Sequence, residues 1–243
     1  MILLTHLVFI DDNHKLLRFR KSFVSLRGAL RNSQHISVSI YGFVEDLYIP
    51  QFRRIVGDAI DSIDTNLIEI NAGKSYLINR VAEITLADVL IFMDSDIIVD
   101  SKSIAELVSC FEVGVFDVLV PNQKEDCRHR LSNLPQTAVV NGTQVKYSNR
   151  YVPFGISGGM FITKRQTILE NRFDYVSEYG PDDTLFVKKL YDSGKTIGVL
   201  ESVFVTHPFE FDADYARYKT ERLASFFKVW GEAEPHPLGE TKR

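Results

Sequence analysis

The chain has 243 residues, 45% of them hydrophobic, which is compatible with a single large α/β domain that buries a substantial core. Its 28 basic and 32 acidic side chains give a formal charge of −4, which argues against the basic surface that a nucleic-acid partner requires. The two cysteines, Cys110 and Cys127, are too few for a disulfide scaffold and lack the CxxC spacing of a zinc or redox site, which fits a reducing compartment and a cytoplasmic location. Residues 1–10 are too short to span a bilayer and carry no cleavage-site signature, so we expect them to form the first strand.

Hydrophobic residues alternate between two periods along the first half of the chain, as is typical of strands joined by crossover helices on a mostly parallel sheet. Strand-like runs occupy residues 3–10, 36–41, 67–70, 89–93 and 116–120. Between them, apolar residues recur every three or four positions and predict helices over 16–30, 52–59, 77–84 and 104–111. The pattern predicts an open α/β sheet with helices on its faces.

The periodicity ends between residues 121 and 154, where we expect a loop region or an insertion. Within it, Asn141-Gly142 favours the positive φ angles of a two-residue turn, which predicts a hairpin between residues 137–140 and 143–147. Asn141-Gly142-Thr143 is also a glycosylation sequon, but we favour the hairpin because the sequence shows no secretion signal.

The C-terminal region, 211–243, is predicted to hold an amphipathic helix over residues 213–230 and a tail. We expect this helix to pack on the core or to fold over the ligand site. The alternative is peripheral contact with a membrane, because Lys219, Arg222 and Lys228 flank an aromatic face.

Asp94-Ser95-Asp96 directly follows the fourth predicted strand. Open parallel sheets bind ligands beyond the carboxyl ends of their strands. Because residues two apart in an extended chain point the same way, both carboxylates can face one hard cation, with a nucleotide diphosphate supplying further oxygen ligands. The alternative is that this acidic pair caps the next helix, a task for which Asp100 and Ser101 are better placed.

Three further groups bear polar or small side chains where a ligand could meet them. Gly158 and Gly159 precede the strand-like run 160–162, where either a close backbone approach to a ligand or a simple bulge needs glycine. Asp182 and Asp183 open a predicted helix, either as an ordinary acidic first turn or as a base that deprotonates a hydroxyl. His207 ends a short strand, either as a solvated or core histidine or as a ligand for manganese.

Taken in order, these motifs resemble those of the GT-A fold glycosyltransferases, especially the family-2 type and the related galactosyl- and N-acetylgalactosaminyltransferases. The resemblance covers roughly residues 1–210. One part of it is a stretch before the acidic strand that reads like N-G-G-x-S-x-x-R-N; its matching residues are Asn71, Gly73, Ser75 and Asn79, whereas Ile78 replaces the arginine. The other parts are the donor-sugar strand after Ser157-Gly158-Gly159, and an F-D…W-G-G-E-D block matched by Phe173-Asp174 and Tyr179-Gly180-Pro181-Asp182-Asp183.

The resemblance implies a single GT-A domain with a Rossmann-like, open mixed sheet flanked by helices. Residues 1–100 would form the nucleotide-binding half, and residues 101–210 the half that holds the donor sugar and the acceptor. It implies that Asn71, Gly73, Asn79, Gly158 and Gly159 contribute to donor binding. It further implies that Asp96 and His207 bind Mn²⁺ or Mg²⁺ and that Asp94 contacts either the ribose of the nucleotide or the metal shell. By the same match, Asp182 binds the sugars and Asp183 is the catalytic base.

The expected reaction is transfer of a sugar, with inversion, from a nucleotide donor to a hydroxyl of a glycan, lipid-linked or protein-linked acceptor. UDP is the expected carrier by family prevalence alone. The alternatives are a sugar nucleotidyltransferase, which normally has a glycine-rich loop after the first strand, and a non-catalytic module of the same fold that binds nucleotide sugars.

The sequence departs from the family in the residues expected to read the base. The second strand normally ends with paired aspartates, but here it is predicted to end around residues 40–43, with Glu45-Asp46 a few residues beyond. The first strand is followed by Asp11-Asp12, and either aspartate is a candidate for contacting the base instead.

Overall fold

The structure is a computed structural model that describes residues 1–31, 35–57, 63–125, 128–130, 134–150, 158–174 and 182–208, together with Arg217 and Glu221. Several predicted features lie outside the described residues. These are the tail helix at 213–230 apart from two positions, the segment 175–181 that includes Tyr179 and Gly180, and the residues Ser157 and Cys127.

Ten strands and six α-helices are found among the described residues. The strands are β1 (Ile2–Ile10), β2 (Ile36–Val44), β3 (Asp64–Ile68), β4 (Val89–Asp94), β5 (Val118–Glu125), β6 (Arg128–Arg130), β7 (Gln136–Val140), β8 (Thr143–Ser148), β9 (Met160–Lys164) and β10 (Ile197–His207). The helices are α1 (Asn13–Leu30), α2 (Ile49–Val56), α3 (Gly73–Ile84), α4 (Ser101–Glu112), α5 (Arg165–Glu170) and α6 (Asp182–Asp192).

The strands form one mixed sheet in the order β3-β2-β1-β4-β9-β5-β10-β8-β7, with β6 paired to β5. Strands β1 to β4 run parallel to one another, and β5 runs parallel to β10. Strand β9 runs antiparallel between β4 and β5. The carboxyl ends of β1, β2, β4, β5 and β10 therefore share one edge of the sheet, and β9 begins at that edge. The predicted open, mixed α/β sheet is confirmed.

The two faces of the sheet are covered by different helices because neighbouring residues of a strand point to opposite sides. In β4, Ile91 and Met93 join a buried cluster with α1 and α4, whereas Leu90 and Phe92 join a cluster with α3, α5 and α6. Asp100 caps α4, because its carboxylate accepts hydrogen bonds from the backbone N–H groups of the first helical turn. No helix in the described part of the chain is both long and apolar enough to cross a membrane.

The region beyond residue 121 differs from its prediction. The hairpin is confirmed, since Val140 pairs with Thr143 and the turn residues Asn141 and Gly142 have φ angles of 48° and 79°. The loop prediction was wrong for residues 121–125 and 128–130, because β5 continues to Glu125 and is joined by β6. Pro121 interrupts the sequence pattern, but it lies beyond the two residues of β5 that pair with β9, so its missing N–H removes no bond to that strand. The boundaries of two other elements also differ from their predictions. β3 begins and ends earlier than the run 67–70, and α2 ends at Val56.

Candidate active site

The predicted site residues converge at the edge of the sheet where β4 and β10 end and β9 begins. Asp94 is the last residue of β4, His207 is the last of β10, and Gly159 immediately precedes β9. The backbone N–H of Asp94 donates to the carbonyl of Gly159 at 2.8 Å. The helices α3 and α6 begin at the same edge, so their first turns complete the site.

Asp94 is held by a lysine. The Nζ atom of Lys74, in the first turn of α3, donates to Asp94 Oδ2 at 3.0 Å and to the carbonyl of Gly158 at 2.8 Å. The same Nζ lies 3.4 Å from Oδ1 of Asp183. Burial raises the pKa of Asp94 to about 6, although the charge of Lys74 opposes this rise. Burial alone would lower the pKa of Lys74, but the surrounding carboxylates, first Asp183 and then Asp94, raise it above its usual value.

Asp96 has different partners on the other side of the site. Its Oδ2 lies 3.1 Å from His207 Nε2 and 3.8 Å from Nη1 of Arg18, a residue of α1. Burial would raise the pKa of Asp96, but the hydrogen bond from His207 and the nearby positive charges hold it below its usual value. Two backbone hydrogen bonds between Ile98 and Thr206 join the segment after β4 to the end of β10 and so bring Asp96 and His207 together.

The expectation that Asp94 and Asp96 point the same way was wrong. It required an extended backbone through both residues, but β4 ends at Asp94 and Ser95-Asp96 form a turn. Asp94 consequently contacts Lys74, whereas Asp96 contacts His207 and Arg18. The structure thus brings Asp96 together with His207, and a metal contact by Asp94 stays a prediction.

Asp96 and His207 together offer an oxygen and a nitrogen ligand that suit a divalent cation. One carboxylate and one imidazole lie in contact, and both side chains are accessible from solvent, with exposed fractions of 22% and 29%. No group of three or more His, Cys, Asp or Glu side chains in the described ranges forms a metal site. A cation here would take two protein ligands, and phosphate oxygens and water would have to supply the others, as is common for magnesium bound with nucleotides.

Both glycines before β9 lie against side chains of the site. A Cβ atom on Gly158 would overlap the carboxylate of Asp183, and one on Gly159 would lie 2.7 Å from Cδ1 of Ile97. The absence of a side chain at Gly158 therefore lets the first turn of α6 approach the start of β9. This close approach, rather than a bulge, accounts for glycine at position 158.

Asp182 and Asp183 form the first turn of α6, as predicted. A helix N-terminus stabilises negative charge, which favours carboxylates at these positions. The pKa of Asp182 is raised to about 7, chiefly by burial and next by the charge of Asp183. Ser75 Oγ donates to Asp182 Oδ2 at a long 3.5 Å, so α3 contacts this turn through Ser75 as well as through Lys74.

Asn79 contributes to the site indirectly, by fixing a segment that packs on α6. Its side chain is 2% exposed; Nδ2 donates to the carbonyl of Phe173 at 2.9 Å, and Oδ1 accepts from the Phe173 N–H at 3.0 Å. The ring of Phe173 stacks on Phe186 of α6 with a centroid distance of 3.9 Å, and Asp174 forms an ion pair with Lys189 of the same helix. Both polar atoms of the Asn79 amide therefore bind the backbone of Phe173, and the segment so fixed holds α6 in place. The resemblance, by contrast, assigns Asn79 to donor binding.

The remaining residues of the predicted motif shape the start of α3. Asn71 Oδ1 accepts from the N–H of Gly73 at 3.1 Å. Gly73 has a φ angle of 80°, which side chains disfavour, so glycine suits the turn into the helix. Their contact with a donor stays a prediction.

The end of β2, where the resemblance places recognition of the base, lies further along the chain than predicted. β2 continues to Val44, so Glu45 and Asp46 directly follow the strand, and the N–H of Glu45 donates to the carbonyl of Ile10 at 2.8 Å. The acidic pair thus stands at the strand end beside Asp11, whose carboxylate forms an ion pair with Lys15 at 2.5 Å. β2 is therefore longer than its hydrophobic pattern suggests, and a contact of Glu45, Asp46 or Asp11 with a base stays a prediction.

A buried polar pair supports the turn around Asp96. Ser22 of α1 donates its hydroxyl proton to the carbonyl of Ile97, so the 3.0 Å contact with His6 Nε2 is a hydrogen bond from the imidazole to Ser22 Oγ. His6 is fully buried in β1, and burial lowers its pKa to about 4. A neutral imidazole therefore supports, through Ser22, the turn that carries Asp96.

Sequence reasoning missed Lys74 and Arg18. Lys74 fills a variable position of the motif before β4, and Arg18 lies on a helix that was predicted from its apolar stripe alone. One signal for Lys74 was available. It stands four residues before Ile78, which replaces the motif arginine, and residues four apart share one face of a helix.

No protein-family profile and no curated protein matches this sequence. Its fold is similar to the crystal structure of S. aureus TarS 1-349 in complex with UDP-GlcNAc, with a TM-score of 0.66 and 14% identity, covering 94% of this chain and 64% of that one. The structure of TarS 1-349 in complex with UDP gives a TM-score of 0.64 and 14% identity, with coverage of 93% and 72%. The structure of GalNAc-T7 with UDP, GalNAc and Mn²⁺ gives 0.66 and 14%, with coverage of 87% of this chain and 44% of that one. The chain therefore has the GT-A fold of glycosyltransferases, as the order of its motifs predicts.

Proposed function

We propose that the protein is a glycosyltransferase that transfers a sugar from a UDP-sugar, with a divalent cation, to an acceptor hydroxyl with inversion. The observation that carries this proposal is the arrangement at one sheet edge of an acidic and histidine pair, a glycine segment and an aspartate at a helix N-terminus. Structures similar in fold hold UDP-GlcNAc, UDP and Mn²⁺, which supports this choice of donor and cation.

The donor would bind along the carboxyl edge of the sheet. Glu45, Asp46 or Asp11 would accept a hydrogen bond from the base, and Asp96 with His207 would hold the cation. A bound cation would neutralise the negative charge that grows on the diphosphate as it leaves. The backbone around Gly158 would approach the sugar, and the raised pKa of Asp182 would let it keep a proton and donate a hydrogen bond to a sugar hydroxyl.

Asp183 would act as the base. Its carboxylate would take the proton of the acceptor hydroxyl while the acceptor oxygen forms a bond to the anomeric carbon. The bond from that carbon to the diphosphate oxygen would break, and UDP would leave with the electron pair. Attack from the face opposite the leaving group inverts the anomeric configuration.

The test is a panel of nucleotide sugars with Mn²⁺, in which release of UDP is measured with and without candidate acceptors. Asp183→Asn should bind the UDP-sugar normally in calorimetry but lose transfer by at least about a hundredfold, because a general base contributes this much. Asp192→Asn is the matched control at the other end of α6, where the side chain is 63% exposed. Near wild-type turnover in Asp183→Asn would refute the assignment of the base, and donor binding without any UDP release by the wild type would favour a non-catalytic module.

A further inference from the structure

Lys74 connects four parts of the site through one ammonium group. From α3 it reaches Asp94 at the end of β4, the carbonyl of Gly158 before β9 and Asp183 in α6. The contacts with Asp94 and Gly158 are hydrogen bonds, and the contact with Asp183 is an ion pair at 3.4 Å. The side chain is only 17% exposed, so it is enclosed by its partners and does not extend into solvent.

The position of Lys74 on α3 explains how a positively charged side chain reaches Asp94 and Asp183. The side chain of Ile78, where the motif has arginine, is completely buried in the apolar cluster with α5 and α6. Lys74 lies one helical turn closer to the N-terminus, on the same face, and therefore closer to the carboxyl edge of the sheet. The helix thus presents its positive charge to the acidic residues from the first turn.

The ammonium group has two physical consequences for the site. It fixes the carboxylate of Asp183 relative to Asp94 and to the backbone of Gly158, and a base must be held in this way to act on a bound hydroxyl. It also offsets the negative charge of Asp94, Asp182 and Asp183, and this charge would otherwise attract a divalent cation.

We propose that Lys74 is a positioning residue that holds the base Asp183 for transfer and weakens the attraction of the acidic cluster for a divalent cation. This inference rests on the proposed function. It predicts two effects of opposite sign when the charge is removed: transfer becomes slower, and Mn²⁺ binds more tightly. Damage to the fold of the site would weaken both together.

The test compares the wild type with Lys74→Met, which keeps an unbranched side chain, shorter by the terminal ammonium group, and removes the charge. We expect kcat for transfer to fall about tenfold or more while KM for the UDP-sugar stays within about twofold, because the interaction acts on the reacting arrangement and not on donor binding. In nucleotide-free protein, titrated by electron paramagnetic resonance of free Mn²⁺, we expect binding to become about tenfold tighter, because one nearby positive charge is lost. Lys102→Met is the matched control, since Lys102 is the exposed second residue of α4 as Lys74 is the second residue of α3.

A chemical rescue separates the charge from the shape of the side chain. Lys74→Cys should behave like Lys74→Met, and alkylation with bromoethylamine should restore both kcat and the weaker Mn²⁺ binding, because it rebuilds an ammonium group on a chain of similar length. The wild type treated in the same way shows the effect of alkylating its own two cysteines.

Three results would overturn the proposal. These are a higher KM with unchanged kcat, a loss of Mn²⁺ binding together with transfer, and a failure of alkylation to restore either property. If the wild type releases no UDP from any donor, the proposed function fails instead, and the Mn²⁺ titration still decides the role of the charge because it requires no turnover.

Discussion

Acid should destabilise the protein through His6, the buried imidazole beneath the turn at Asp96. Burial lowers the pKa of His6 from 6.5 to about 4, so the folded state keeps the ring neutral where the unfolded state protonates it. The stability that His6 contributes is complete above pH 6.5 and is lost as the pH falls from 6.5 through about 4. This shift lowers the free energy of unfolding by about 2 kcal/mol at pH 5 and about 3 kcal/mol at pH 4.

The assay is urea unfolding followed by far-UV circular dichroism at several pH values between 7 and 4. The comparison is His6→Gln, whose side-chain N–H can still donate to Ser22 but does not titrate in this range. All other groups titrate alike in both proteins, so the difference between their two curves isolates His6. Parallel curves for the two proteins would refute the reasoning, because they would show that the folded state does not resist protonation of this ring.

Two further predictions concern residues that place the base. Gly158→Ala should lower transfer about a hundredfold, because the new Cβ overlaps the Asp183 carboxylate and a displaced base loses that much rate; Gly28→Ala, where a Cβ meets nothing within 4 Å, is the control, and equal activity of the two variants in UDP-release assays would contradict this account. Asn79→Ala should lower the free energy of unfolding by about 3 kcal/mol in urea titrations, because both backbone groups of Phe173 lose their buried partner. A loss below about 1 kcal/mol would show that water replaces the amide.

Much of the fold could be predicted because the relevant signals are local. The helical stripe of α1, the buried run of β4 and the Asn141-Gly142 turn each depend on neighbouring residues, and the structure confirms all three. The extensions of β5 to Glu125 and of β2 to Val44 could not be predicted in this way. They depend on pairing with β10 and β1, strands that are distant in sequence, and not on a hydrophobic pattern of their own.

The candidate site shows the same division. The order of the motifs predicted which residues stand at the ends of strands and helices, and Asp94, Asp183 and His207 all lie where this reasoning placed them. It could not predict that the chain turns directly after Asp94, so that Asp96 pairs with His207 while Asp94 pairs with Lys74. The direction of a side chain beyond a strand end depends on the backbone of the turn, which the period of the strand does not describe.

The sequence by itself determined the α/β class, the position of the acidic residues at strand ends and the order of the candidate site motifs, because periodicity and motif spacing are properties of contiguous residues. Only the tertiary structure showed that Lys74 lies between the acidic residues of the candidate site. Its partners Asp94, Gly158 and Asp183 are distant in the chain and meet where three elements converge. The only signal for Lys74 in the sequence is its spacing of four residues from Ile78, which does not reveal its partners. Its role arises from the charges that the fold gathers around it.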